Sequence, residues 1–181
     1  MVGVLVARLL ALHDALDMAS IPHAFGGAIA LAYCTHEPRG TRDIDVNIFV
    51  DHDQAAGALA ALPPEVEQPP GTLERIERDG QIRLWWDDTP VDLFFDMLPI
   101  HRRAARHRRL VPLAGATIPV LGPTELVVFK AMFDRTKDWA DIEAVFETRE
   151  AAIDEVERLL IELVGVDDPR VGRIRAATTD A

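Results

Sequence analysis

Leu5, Leu9, Leu12 and Leu16 recur at spacings of four, three and four, one stripe of an α-helix, and predict a first helix over residues 3–19. Ile21 to Phe25 is a short extended entry, because Pro22 holds its predecessor out of helical geometry. Gly26-Gly27 then breaks the chain and Ala28 to Cys34 resumes as helix, a strand, glycine turn and helix in succession. Pro38 and Gly40 mark residues 35–42 as a loop. Asp43 to Val50 alternates polar and apolar positions before an apolar end, the period of a strand with one face on a core. Asp51 and Asp53 suit the cap of a helix that runs to Leu62 and stops at Pro63-Pro64. Leu73 to Glu77, Ile82 to Trp86 and Val91 to Phe95, with turns at Asp79-Gly80 and from Asp87 to Pro90, predict an antiparallel meander. A basic helix over residues 101–109, short strands around Val111 and Ile118 to Val120, and a helix opened by Pro123 and continuing to about Arg135 follow. Amphipathic helices over 138–148 and 151–164 precede a stretch from Pro169 that reads as a frayed tail.

These elements predict an α/β chain, α+β by strict layering: a small mixed sheet flanked by helices, with a C-terminal helical lobe. The expected division is a core over 1–122, the lobe over 123–168 and a flexible tail over 169–181. A chain of 181 residues buries roughly 70% of its unfolded surface, so a core needs neither disulfides nor a structural metal. Its single cysteine, Cys34, can form no internal bridge, and the chain reads as cytoplasmic. The apolar stretch from Val2 to Leu12 is interrupted by Arg8 and too short to span a membrane. The net charge of −11 argues against bulk electrostatic attraction to nucleic acid. Among 19 basic residues only Lys130 and Lys137 are lysine; they are either chance in an arginine-rich chain or positions that need a compact ammonium.

Asp43 and Asp45 are the sharpest chemical feature. Residues two apart on a strand project from one face, their Cα atoms about 6.5 Å apart, so both carboxylates can reach one hard cation or a close pair. A third carboxylate, Asp92, stands in the apolar run Val91 to Phe95, where an unpaired charge is costly, with Asp96 a weaker competitor near the strand end. If the two strands are neighbours, three carboxylates meet, as in two-metal phosphoryl-transfer sites. The plain alternative is a solvated sheet face. Gly26-Gly27 at a strand-to-helix turn either lets backbone N–H groups approach a phosphate or is simply a turn.

In their order, Gly26-Gly27, Arg39-Gly40-Thr41-Arg42-Asp43-Ile44-Asp45 and Val91-Asp92-Leu93 resemble the nucleotidyltransferase superfamily that includes DNA polymerase beta. Lys130, Arg135 and Lys137-Asp138-Trp139-Ala140-Asp141-Ile142 resemble a helical segment of its minimal and abortive-infection (AbiEii-type) branch. The resemblance implies that Asp43, Asp45 and Asp92 hold metal, two Mg²⁺ ions in all, with Asp92 activating the acceptor hydroxyl. It implies that Gly26 and Gly27 cradle the triphosphate, that Arg39 and Thr41 contact the nucleotide, and that Lys130 and Lys137 neutralise phosphate charge. Arg42, Asp138 and Asp141 would support those groups. Gly27 stands where many members of the superfamily have serine, which removes a phosphate-binding hydroxyl.

The implied reaction is Mg²⁺-dependent transfer of a nucleoside monophosphate from an NTP to a hydroxyl of tRNA, a protein or a small molecule, with release of pyrophosphate. Such an enzyme could be the toxin of a toxin–antitoxin pair, with an antitoxin as partner. The alternatives are an aminoglycoside-type antibiotic nucleotidyltransferase and a nucleotide-binding module without turnover. The run His101 to Arg109, with its five arginines, is either a solvated face or a grip on RNA. Trp85-Trp86 reads as one ring inward and one outward, and Cys34 as buried. His13, His23, His36 and His52 lack metal-ligand spacing.

Overall fold

The computed structural model describes residues 2–177. Helix α1 (Val2–Met18) leads into β1 (His23–Phe25), α2 (Gly27–Thr35) and β2 (Ile44–Asp51). A 3-10 turn (His52–Gln54), α3 (Ala55–Ala61), β3 (Val66–Glu67) and α4 (Thr72–Asp79) follow. Then come the hairpin β4 (Gln81–Trp86) and β5 (Thr89–Asp96), α5 (Pro99–His107), and the hairpin β6 (Arg109–Leu113) and β7 (Ala116–Val120). The chain finishes with α6 (Pro123–Phe133), α7 (Thr136–Glu147), α8 (Ile153–Val164) and α9 (Pro169–Ala177). No described helix is long and apolar enough to cross a membrane.

The strands form one mixed seven-stranded sheet in the order β3-β4-β5-β2-β1-β7-β6. At its centre β2 and β5 run parallel, while β1 lies antiparallel to β2 and parallel to β7. The apolar set of β2, Ile44, Val46 and Ile48, is fully buried, as are Val91 and Leu93 of β5. The period-2 alternation therefore turns Asp45 and Asp92 to the other face. The Leu9, Leu12 and Leu16 stripe of α1 is buried as its spacing requires. Trp85 is exposed and Trp86 half-buried beneath Arg8, and Cys34 is buried, its thiol pushed up to about 11 by desolvation.

Three local expectations are corrected. Residues 72–79 form helix α4 rather than the first strand of a meander: Leu73 and Ile76 lie three apart, a helical spacing, and left-handed glycines at 71 and 80 bound the turn. Neither Asp51 nor Asp53 caps α3, because the 3-10 turn intervenes and no side-chain cap bond forms. Residues 169–177 form α9 rather than a tail, with Val171 and Ile174 buried and the helix packed on α8. Arg173 lies 3.8 Å over the Trp139 ring and donates to Asp134 at 3.0 Å, tying α9 to α7 and its approach. The end of the expected tail, 178–181, lies outside the described residues. Ile174→Ala is expected to lower stability by about 2–4 kcal/mol in urea unfolding, the range for truncating a buried isoleucine; a frayed tail would show no change.

Candidate active site

The register of β2 and β5 sets Asp45 directly opposite Asp92. Asp43 precedes them on the same face, presented by a local turn in which its N–H donates to Thr41 Oγ1 at 3.2 Å. The two-residue turn Asp87-Asp88 pairs Trp86 with Thr89 and so brings Arg83 of β4 opposite Asp92. Arg83 Nε and Nη2 donate to the two Asp92 oxygens at 2.8 and 2.7 Å, and Nη2 lies 3.6 Å from Asp43 Oδ2. Desolvation by burial, then the neighbouring Asp92 and Asp43 carboxylates, push the Asp45 carboxyl up to about 6.

Three carboxylates on one face, one of them disfavoured as an anion, are a donor set suited to a hard divalent cation, and Arg83 already supplies a positive group there. Among the described residues no three His, Cys, Asp or Glu side chains converge in a ready ligand geometry.

Helix α2 starts against this face. The Gly26 N–H is engaged by the Asp45 carbonyl at 2.9 Å, and the Gly26 carbonyl accepts from Ala30. The N–H groups of Gly27, Ala28 and Ile29 form the open first turn of α2. Gly27 has φ +49° and packs so closely on Asp45 that a Cβ would stand 1.8 Å from Oδ2.

Helices α6 and α7 bring the basic groups. Lys130 Nζ donates to Asp141 Oδ2 at 2.7 Å and lies 3.5 Å from Asp138 Oδ1. Arg135 Nε donates to Asp138 Oδ2 at 2.6 Å, and Arg39 reaches Asp141 at 3.1 Å. Burial alone would raise the Asp138 carboxyl; Arg135 and Lys130 hold it below its ordinary value. Asp138 and Asp141 thus face Lys130, Arg135 and Arg39. Lys137 and Arg42 are exposed, and neither lines the adjoining cavity.

That cavity, about 350 Å³, has Asp45, Asn47, Lys130 and Arg135 in its polar lining and Phe94, Phe129 and Phe133 in its apolar wall. The Phe94 and Phe133 rings meet edge to face at 5.7 Å. A second hollow of about 320 Å³, lined by Arg75, Arg83 and Asp92, shares those two rings. Sequence reasoning missed Arg83 and the aromatic wall: a turn from Asp87 to Pro90 would set Arg83 against Phe94, whereas the shorter turn Asp87-Asp88 sets it against Asp92.

The basic run, carried by α5 and the start of β6, is partly absorbed within the protein. His101 is buried, Arg103 pairs with Glu125 and Glu155 at 2.8 and 2.7 Å, and Arg109 pairs with Glu150. Arg106 and Arg108 are exposed.

No protein-family model matches this chain, and no curated protein matches it in sequence. Among solved structures, the antibiotic-resistance factor ANT(2'')-Ia in solution superposes with TM-score 0.65 at 14% identity, over 100% of both chains. Its crystal structure in complex with adenylyl-2''-tobramycin gives TM-score 0.60 at 15% identity, over 87% of this chain and 95% of that one. An antigenic nucleotidyltransferase-like protein from Paracoccidioides brasiliensis gives 0.51 at 18% identity, over 93% and 92%. The mixed α/β fold is thus nucleotidyltransferase-like.

Proposed function

We propose that this protein is a Mg²⁺-dependent nucleotidyltransferase, moving a nucleoside monophosphate from an NTP to an acceptor hydroxyl. The observation that carries this reading is the placement of Asp45 opposite Asp92, with Asp43 beside them, at a cavity that also holds Lys130 and Arg135. Asp43, Asp45 and Asp92 would hold two Mg²⁺ ions, which when bound neutralise the triphosphate and favour the ionised acceptor hydroxyl. Lys130 and Arg135 face the phosphates, and the open N–H groups of the first α2 turn donate to them. Phe94, Phe129 and Phe133 offer a stacking wall for the base. Asp92 takes the hydroxyl proton as the acceptor oxygen bonds to the α-phosphorus and the bond from that phosphorus to the bridging oxygen breaks, releasing pyrophosphate. The likeness to the abortive-infection branch rests on the segment from Lys130 to Ile142 alone.

A small cationic acceptor is favoured over RNA. Ion pairs engage Arg103 and Arg109 of the run that suggested RNA contact and a toxin role, and the chain carries a net charge of −11. The similarity in fold to ANT(2'')-Ia over the full chain points the same way. The test is incubation with each α-³²P-labelled NTP and Mg²⁺, with an aminoglycoside panel, total tRNA or lysate protein as acceptor. Label on an aminoglycoside is the expected result; label on tRNA alone would replace the acceptor, and absence of both transfer and Mg-NTP binding would overturn the reading.

A further inference from the structure

We propose that Arg83 is an internal counter-ion that holds the place of the divalent cation, so that metal must displace it to reach Asp92. The inference rests on the aspartate cluster being a metal site. Among the described residues, Arg83 is the only basic side chain within ion-pair distance of Asp43 or Asp92. Lys130 and Arg135 approach the same face, but their charged ends are committed to Asp141 and Asp138. Arg83 engages both oxygens of Asp92 at 2.8 and 2.7 Å. A carboxylate so gripped gives the facing lone pair of each oxygen to the guanidinium, whose positive charge stands where a chelated cation would sit, and no three-ligand arrangement exists among the described residues. The grip is built by the fold rather than by chance contact, since the β4–β5 register places Arg83 and Asp92 directly opposite each other.

The same structure gives Arg83 somewhere to go. Its side chain is 51% exposed and lines the second hollow, so leaving the cluster exposes no apolar core. Without metal it offsets the mutual repulsion of Asp43 and Asp92, which a bare cluster would suffer. With metal it becomes a competitor for the same oxygens, and the observed affinity is the intrinsic one multiplied by the fraction of molecules in which Arg83 is undocked.

Titration of wild type, Arg83→Met and Arg83→Lys with Mn²⁺, read by the EPR signal of the free ion and repeated with Mg²⁺ by calorimetry, tests this without any turnover. Arg83→Met is expected to bind either ion about 10-fold more tightly than wild type, as a charge-assisted bidentate competitor is removed. Arg83→Lys, which keeps the charge but loses the fork, is expected between them. Metal-free Arg83→Met should also melt below wild type and be raised more by Mg²⁺. If it does not fold without metal, Arg83→Lys carries the comparison. Affinity equal to or weaker than wild type in the variants overturns the role of Arg83 and leaves the metal site standing. Absence of binding in all three proteins overturns both.

Discussion

Asp45→Asn is expected to abolish nucleotide transfer and, in the same molecule, to make the metal-free protein more stable. The Asp45 carboxyl is pushed up to about 6 from its ordinary 3.8, first by burial and then by Asp92 and Asp43. Below about 3.8 both states hold the proton and the site costs nothing; between those values the folded chain keeps a proton that the unfolded chain has released, so stability falls steadily as pH rises, and the loss is complete above about 6. At neutral pH the native protein therefore carries a desolvated, repelled carboxylate, a destabilisation of about 3 kcal/mol, since tenfold in proton affinity is worth ~1.4 kcal/mol. Asparagine keeps the shape and removes the charge. In EDTA at pH 7.5 the variant should melt about 6–10 °C above wild type, given the usual relation between free energy and Tm for a chain of this size. At pH 4 the two should nearly coincide. Added Mg²⁺ should raise the wild type far more than the variant, and transfer should fall at least about 100-fold. A variant that melts at or below wild type in EDTA at pH 7.5 would show that the charge at Asp45 is not under strain.

Gly27→Ser is expected to damage the site even though it adds a hydroxyl at the start of α2. Gly27 adopts φ +49°, and its missing side chain leaves room for Asp45: a Cβ would lie 1.8 Å from Oδ2 and 2.6 Å from Cγ. The left-handed backbone costs a non-glycine residue about 1–2 kcal/mol. Overpacking against Asp45 adds a further loss of about 1–3 kcal/mol as the carboxylate is forced aside. Stability should drop by about 3 kcal/mol in urea unfolding, with Mg²⁺ binding weakened because the displaced ligand is Asp45 itself. The double variant with Asp45→Ala separates the two causes. Truncating Asp45 relieves the collision, so in that background Gly27→Ser should show only the backbone part. A single variant with wild-type stability and Mg²⁺ affinity would refute the close approach. A serine hydroxyl at this place is thus excluded by a backbone packed on the carboxylate.

Two features of the site are open to sequence reasoning for simple geometric reasons. Asp43 and Asp45 share a face because strand side chains alternate, and Ile44, Val46 and Ile48 mark the opposite face as the buried one. Arg83 opposite Asp92 follows once the turn is taken as the two residues Asp87-Asp88; the longer turn from Asp87 to Pro90 would pair Arg83 with Phe94 instead. Helices α4 and α9 escape such reasoning for the opposite reason. Each presents few apolar positions, Leu73 and Ile76 in one and Val171 and Ile174 in the other, too short a pattern to distinguish helix from strand or tail without the neighbour that covers it.

The sequence by itself determined the class of fold, the pair Asp43 and Asp45 at the entry to β2, the glycine turn before α2 and the basic and acidic residues of α6 and α7. These are local properties, written in periods of two and of 3.6 residues and in the turn chemistry of glycine and proline. Only the tertiary structure decided that Asp45 faces Asp92, that Lys130 and Arg135 reach the same cavity, and that Arg83 grips both oxygens of Asp92. Strands β2 and β5 are parallel and joined through α3, β3, α4 and β4, so no turn sets their register. Packing of the apolar faces on a common core fixes it, and that is a property of the whole chain.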